Sequence, residues 1–131
     1  MIVEYQKFIT RENMRTNPHK LYIFGDNVKR IGLGGQAREM RGEPNAFGIA
    51  TKLAPTYDPE DFMTDSVMHF KLVLHDFELL HLILKTGKYK TLVVPQDGIG
   101  TGIANLKDNA PLILQYINQM LFNDIPNKWN V

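Results

Sequence analysis

The stretch Leu92-Val93-Val94-Pro95-Gln96-Asp97-Gly98-Ile99-Gly100-Thr101-Gly102 passes from an unbroken apolar run into a loop with glycine at every second position. Apolar residues on both faces of an extended segment are the pattern of a strand covered on either side, so residues 92–95 predict a buried central strand. Glycine tolerates positive φ and close backbone approach. A run of such residues at a strand end lets successive backbone amides turn toward one anion, whereas a plain strand-to-helix connection needs no such run. Beyond the loop, Leu106, Ala110, Ile113, Leu114, Ile117, Met120 and Leu121 recur at helical spacing. Either Asp108 or Asn109 serves as the cap, and Pro111 is tolerated in the first turn.

The same arrangement occurs earlier in the chain. Leu21-Tyr22-Ile23-Phe24 predicts a strand over about residues 20–25, followed by the loop Gly32-Leu33-Gly34-Gly35-Gln36-Ala37. A short helix from Gly35 to Arg41 is stopped by Gly42 and Pro44. The two loops hold six of the ten glycines, which makes them the first candidates for a binding site. Asp26 and Asn27 end the preceding strand, and Arg30, Arg38 and Arg41 surround the first loop, a density of polar groups that a plain turn would not need. No Gly-Lys-Ser/Thr follows, which excludes a Walker A loop, and there is no clean G-x-G-x-x-G after the first strand.

Outward from these loops, residues 2–9 predict a first strand, residues 46–52 a third and residues 128–131 a last short one. Asp58-Pro59 marks the start of the longest helix and Gly87 its stop. Its apolar stripe runs through Met63, Val67, Phe70, Val73, Leu74, Phe77, Leu80 and Leu84. Strands alternating with helices predict an α/β layered domain over residues 1–131, with a mixed, largely parallel central sheet. Ligands of such sheets sit at the carboxyl ends of the strands, where both glycine loops emerge.

Fifteen Lys and Arg against fourteen Asp and Glu give a net charge of +1, so no long-range field argues for nucleic acid or a membrane surface. Anion binding must then be local. The chain has no cysteine, which excludes disulfides, thiolate metal sites and a cysteine nucleophile. His69, His75 and His81, six residues apart, spread around a helix and make no metal site. Ser66 has no base at an informative spacing, so a serine triad has no support. The absence of a membrane-length apolar stretch and of a signal-peptide profile leads us to expect a cytoplasmic protein without a cofactor.

Three blocks of this sequence resemble the macrodomains, and within them the terminal ADP-ribose protein glycohydrolase branch. The first is Gly32-Leu33-Gly34-Gly35-Gln36-Ala37 behind its strand. The second is Gly48-Ile49-Ala50-Thr51-Lys52 with Pro55-Thr56-Tyr57. The third runs from Leu92 through Gly102-Ile103-Ala104-Asn105-Leu106. Together they span about residues 20–122. Separately, Phe24-Gly25-Asp26-Asn27 and Met40-Arg41-Gly42-Glu43-Pro44-Asn45-Ala46 resemble short bacteriophage proteins, which would place the chain in host cytoplasm.

The macrodomain resemblance implies a three-layer fold and a site for ADP-ribose, free or carried on a modified macromolecule. On this reading Asp26, Asn27, Gly32, Gly34, Gly35, Gln36, Gly98, Ile99, Gly100, Thr101 and Gly102 bind the ligand. Lys52 matches the lysine that attacks the ribose anomeric carbon in the glycohydrolase branch. The family's second catalytic residue, an aspartate, aligns with Ala104, so Asp97 is the candidate to replace it, either as a group on the ligand or as a brace for its own loop. The aspartate that selects adenine has no counterpart among Lys7-Phe8-Ile9-Thr10. A lysine nucleophile must shed its proton, which burial or a neighbouring cation favours, and Arg41 is the candidate cation. Two functions follow: hydrolysis of an ADP-ribosyl linkage, or capture of an ADP-ribose-like nucleotide without chemistry.

Overall fold

The computed structural model describes residues Met1–Val131. Four strands form one sheet: β1 (Ile2–Gln6), β2 (Lys20–Asn27), β3 (Ala46–Lys52) and β4 (Thr91–Pro95). They lie in the order β1-β4-β2-β3 and every pairing is parallel. The sheet is thus wholly parallel where a mixed one was expected. β4 occupies an interior position, as its two-sided apolar run predicts, and Leu92, Val93 and Val94 are all buried.

Strand alternation divides the core into two layers. Leu21, Ile23, Ile49, Leu92 and Val94 face a cluster of 21 buried residues built with α3 (Val67–Lys85), α4 (Leu106–Asn109), α5 (Pro111–Gln119) and α6 (Ile125–Lys128). Tyr22, Phe24 and Val93 face the other way, into a cluster of seven with Met14 of α1 (Arg11–Thr16) and Ala37 and Met40 of α2 (Ala37–Met40). Helices therefore cover both faces, the arrangement a parallel sheet requires.

Several boundaries differ from the sequence expectation. The first strand ends at Gln6 and not at residue 9, and after a short connection α1, a helix the sequence pattern did not signal, begins at Arg11. A capping box starts α1: the Thr10 side chain accepts from the Asn13 backbone N–H, and the Asn13 side chain accepts from Thr10. Asp58-Pro59 opens only the single 3-10 turn Pro59–Asp61. The long helix begins instead after Ser66, whose hydroxyl accepts from His69 N–H at 3.2 Å. Met63 is buried in the core from outside that helix, while Val67 is exposed. Neither Asp108 nor Asn109 caps α5; Ala110 takes that position, and those two residues lie in the separate turn α4. Beyond α5, Met120–Asp124 forms a π-helical turn leading into α6, and residues 129–131 are not a strand.

β3 is an edge strand, and an ion pair covers its outer side. Asp76 of α3 accepts from Ala50 N–H at 2.7 Å through Oδ2 and from Arg30 at 2.6 Å through Oδ1, while Arg30 also donates to the Gly48 carbonyl at 2.9 Å. Side chains thus satisfy backbone groups that would otherwise invite another strand.

Candidate functional site

A cleft of about 450 Å³ opens at the carboxyl ends of β2, β3 and β4, between the two glycine loops. That volume lies in the range of small-molecule sites. Every residue singled out above as a ligand-binding or catalytic candidate, from Asp26 to Gly102 and including Lys52 and Asp97, lines it. The loops approach each other across the opening: a Cβ placed on Gly34 would lie 3.6 Å from Ile103 Cδ1.

Both loops present unpaired amides. No backbone N–H from Gly32 to Gln36, nor from Ile99 to Ala104, donates to a backbone acceptor. Nor does any of them donate to a side chain; the neighbouring Asn27 N–H, by contrast, is taken by the Asp26 carboxylate at 2.8 Å. Gly100 is the pivot of the second loop. It adopts φ +76°, and a Cβ there would collide with Leu106 Cδ1 and stand 2.9 Å from its Cγ, so only glycine lets the chain turn above the core at this point. The Gly100 carbonyl accepts from Leu106 N–H at 3.0 Å and ties the loop to α4.

The first loop is held by charge. Asp26 is buried and receives both terminal nitrogens of Arg41, at 3.0 and 2.5 Å, with Arg30 a further 3.6 Å away. Arg41 also donates to the carbonyls of Gly32, at 2.8 Å, and Ile31, at 3.1 Å. One guanidinium therefore joins the end of β2 to the loop that follows it, a bidentate geometry that lysine cannot reproduce. Gly48 makes room for this clamp, since a Cβ there would meet Asp26 Oδ2 at 2.6 Å and Asp26 Cβ at 2.8 Å. Asp26 is thus spent on the protein. So is the side-chain amide of Gln36, which donates to the Ile9 carbonyl at 2.6 Å.

Between Asp26 and Asn27 the β2–β3 register shifts, so Asn27 lies opposite Lys52 and Thr51 is skipped. Such an irregularity re-aims side chains at a strand end. Asn27 Nδ2 donates to the Ile31 carbonyl at 2.8 Å. Its Oδ1 is the one buried side-chain polar atom of the protein with no hydrogen-bond partner, although buried polar atoms are as a rule satisfied.

Lys52 is 6 % exposed. Its ammonium donates to the Thr56 carbonyl and sits 4.4 Å from the centre of the Phe62 ring and 5.2 Å from that of Tyr57. A carbonyl oxygen and two aromatic faces are the surroundings of a cation, and no carboxylate pairs with it. Arg41, the candidate for activating it, is instead committed to Asp26 and the loop carbonyls. Asp97 is exposed at the cleft margin and accepts no hydrogen bond from the amides of its own loop, so it does not act as a brace.

Tyr57, which the sequence singles out only as the last residue of Pro55-Thr56-Tyr57, is 74 % exposed and lines the cleft. Its position in Pro55-Thr56-Tyr57, five residues beyond the end of β3, was the available signal. The three helix histidines are dispersed: His69 Nδ1 meets Thr64, His81 packs edge-on against Trp129, and His75 faces solvent. No helix is long and apolar enough to cross a membrane.

No curated protein and no solved structure matches the chain. A family pattern does match it, over residues 4–120, and the chain therefore belongs to the family of unknown function DUF7831.

Proposed function

We propose that the cleft binds ADP-ribose or a closely related nucleotide diphosphate and holds it without chemistry. The observation that carries this reading is the pair of glycine loops that line one cleft and whose backbone N–H groups, from Gly32 to Gln36 and from Ile99 to Ala104, no protein acceptor takes. Amides without protein acceptors are suited to the oxygens of a diphosphate and need no large net charge on the protein. Lys52 supports it as a buried cation with no carboxylate of its own, available to an anionic ligand. Asn27 Oδ1 supports it too, because an orphaned acceptor in a polar cleft calls for a donor such as a ribose hydroxyl. Tyr57, exposed at the rim, offers a face on which a base can stack.

A second reading, hydrolysis of an ADP-ribosyl linkage with Lys52 as nucleophile and Asp97 as its acid–base partner, is favoured by one observation: both residues line the same cleft. The contacts of Lys52 weigh against it, since its nitrogen is engaged by the Thr56 carbonyl and held against the Phe62 and Tyr57 rings instead of standing free for attack. Arg41, the candidate activating cation, is paired with the Asp26 carboxylate instead. Ala104, where the resembling family carries its aspartate, leaves the second catalytic position empty.

A thermal-shift series with ADP-ribose, NAD, cyclic ADP-ribose isomers and AMP tests the proposal, because a ligand that binds only the native state raises its melting temperature. Stabilisation by ADP-ribose well beyond that by AMP is expected, with no product formed on prolonged incubation. No stabilisation by any diphosphate would reject the binding reading. Release of free ADP-ribose from a modified substrate, lost in Lys52→Ala, would establish the hydrolytic one.

A further inference from the structure

The long helix α3 has two apolar faces, and the domain uses one. Val73, Phe77, Leu80 and Leu84 are buried against the sheet. On the opposite side, Met68 is 74 % exposed, Leu79 42 % and Leu82 63 %, with the exposed His75 between them and Leu72, half-buried and in contact with the edge of the core, beside them. Residues 68, 72, 75, 79 and 82 are separated by alternate steps of four and three. At about 100° per residue they form a single stripe within roughly 40° of a line along the helix, about 150° around from the core stripe. Steps of four and three are the seam spacing of paired helices. Large apolar side chains in a continuous row on a soluble domain mark an interaction surface.

Charge beside the stripe indicates what covers it. Lys71, Glu78 and Lys85 line one flank at seven-residue intervals, are exposed, and form no ion pair within the chain. When two helices pack antiparallel, the same flank of each meets the other running in reverse. With the two-fold axis at His75, residue i faces residue 150 − i of the second copy. Met68 then lies opposite Leu82, while Leu72 comes within one residue, about 1.5 Å along the axis, of the level of Leu79, and Lys71 within one residue of Glu78, each twice by symmetry. A parallel pair would set this flank against the opposite one, which carries His69, the buried Asp76 and Ile83, and no such pairing arises. We infer that α3 is the contact helix of a two-fold homodimer, packed antiparallel against its own copy. The interface is isologous, as closed dimers require, and lies on the helix face turned away from the sheet.

Sedimentation equilibrium of the full chain over a range of micromolar concentrations tests this. The expected result is a monomer–dimer equilibrium reaching twice the 15.0 kDa chain mass. Leu82→Glu, at an exposed position, should leave a monomer with an unchanged circular dichroism spectrum, and Leu79→Glu the same. Lys71→Glu places like charges together twice and should weaken the dimer by about tenfold or more. Combining it with Glu78→Lys restores opposite charges and should restore dimerisation. A wild-type chain that stays monomeric throughout would overturn the proposal. So would a dimer indifferent to Leu82→Glu, or a charge exchange that fails to rescue the single variant.

Discussion

Removing Arg41 should cost the protein stability and, through the first loop, the proposed affinity for ADP-ribose. The Asp26 side chain is 3 % exposed and takes two charge-assisted hydrogen bonds from the Arg41 guanidinium. Breaking a buried pair by deleting one partner costs about 3–5 kcal/mol, because the remaining charge is left uncompensated. Here the loss is smaller: the Asn27 N–H donates to the same carboxylate at 2.8 Å and Arg30 lies 3.6 Å away, so we expect about 2–3 kcal/mol for Arg41→Ala. For a domain of this size that corresponds to roughly 8–12 °C in melting temperature. Urea denaturation of four proteins, the wild type, Arg41→Ala, Asp26→Asn and the double variant, measures the coupling. With the carboxylate gone, the double variant should lose only about 1 kcal/mol, and so be more stable than Arg41→Ala alone. A double variant as unstable as the sum of the single ones would refute the clamp, as would an Arg41→Ala loss below about 0.5 kcal/mol.

Asp97→Asn should leave the midpoint of denaturation unchanged within about 0.5 kcal/mol, since the carboxylate braces nothing, and should alter only the affinity for ligand in calorimetry. A clear fall in stability with wild-type affinity would restore Asp97 to a structural role. Alkaline pH should destabilise the fold. Burial raises the ionisation of Tyr5, Tyr22 and Tyr116 above the ordinary 10.0, so the folded state holds these protons more tightly than the unfolded chain. Their contribution is complete below pH 10 and is lost as pH climbs through the raised values. Melting curves between pH 9 and pH 11.5 should therefore fall with pH, alongside a delayed rise in tyrosinate absorbance, and a flat profile would contradict the assignment.

The parts of this protein that local pattern governs were legible in its sequence. β4 announced itself by apolar residues on both faces, and the two loops by glycine spacing, because a buried parallel strand and a turn of backbone amides each restrict residue type directly. The cleft followed from placing both loops at carboxyl ends of one sheet. What escaped was decided over distance or by too few residues. α1 buries only Met14, so it shows no stripe, and its capping box has asparagine where glutamate is the familiar partner. Asp58-Pro59 carries the chemistry of a helix start, yet the chain is drawn back into the antiparallel bridge between Lys52 and Phe62, and the helix waits for Ser66. The all-parallel order depends on crossovers that no local signal encodes. Among the site residues, Asp26 and Gln36 were readable as polar groups beside a loop, but only their partners, Arg41 and the Ile9 carbonyl, show them holding the loop in place.

Calorimetric titration of ADP-ribose into the wild type and into Gly34→Leu tests the central claim most directly. Gly34 lies in the cradle without positive φ and with nothing but the tip of Ile103 near its would-be side chain, so the substitution fills the cleft while sparing the core. A saturable one-to-one isotherm for the wild type, weakened more than about tenfold in a Gly34→Leu protein of unchanged melting temperature, is the result our account predicts. No binding by the wild type, or equal affinity in the two proteins, would contradict it.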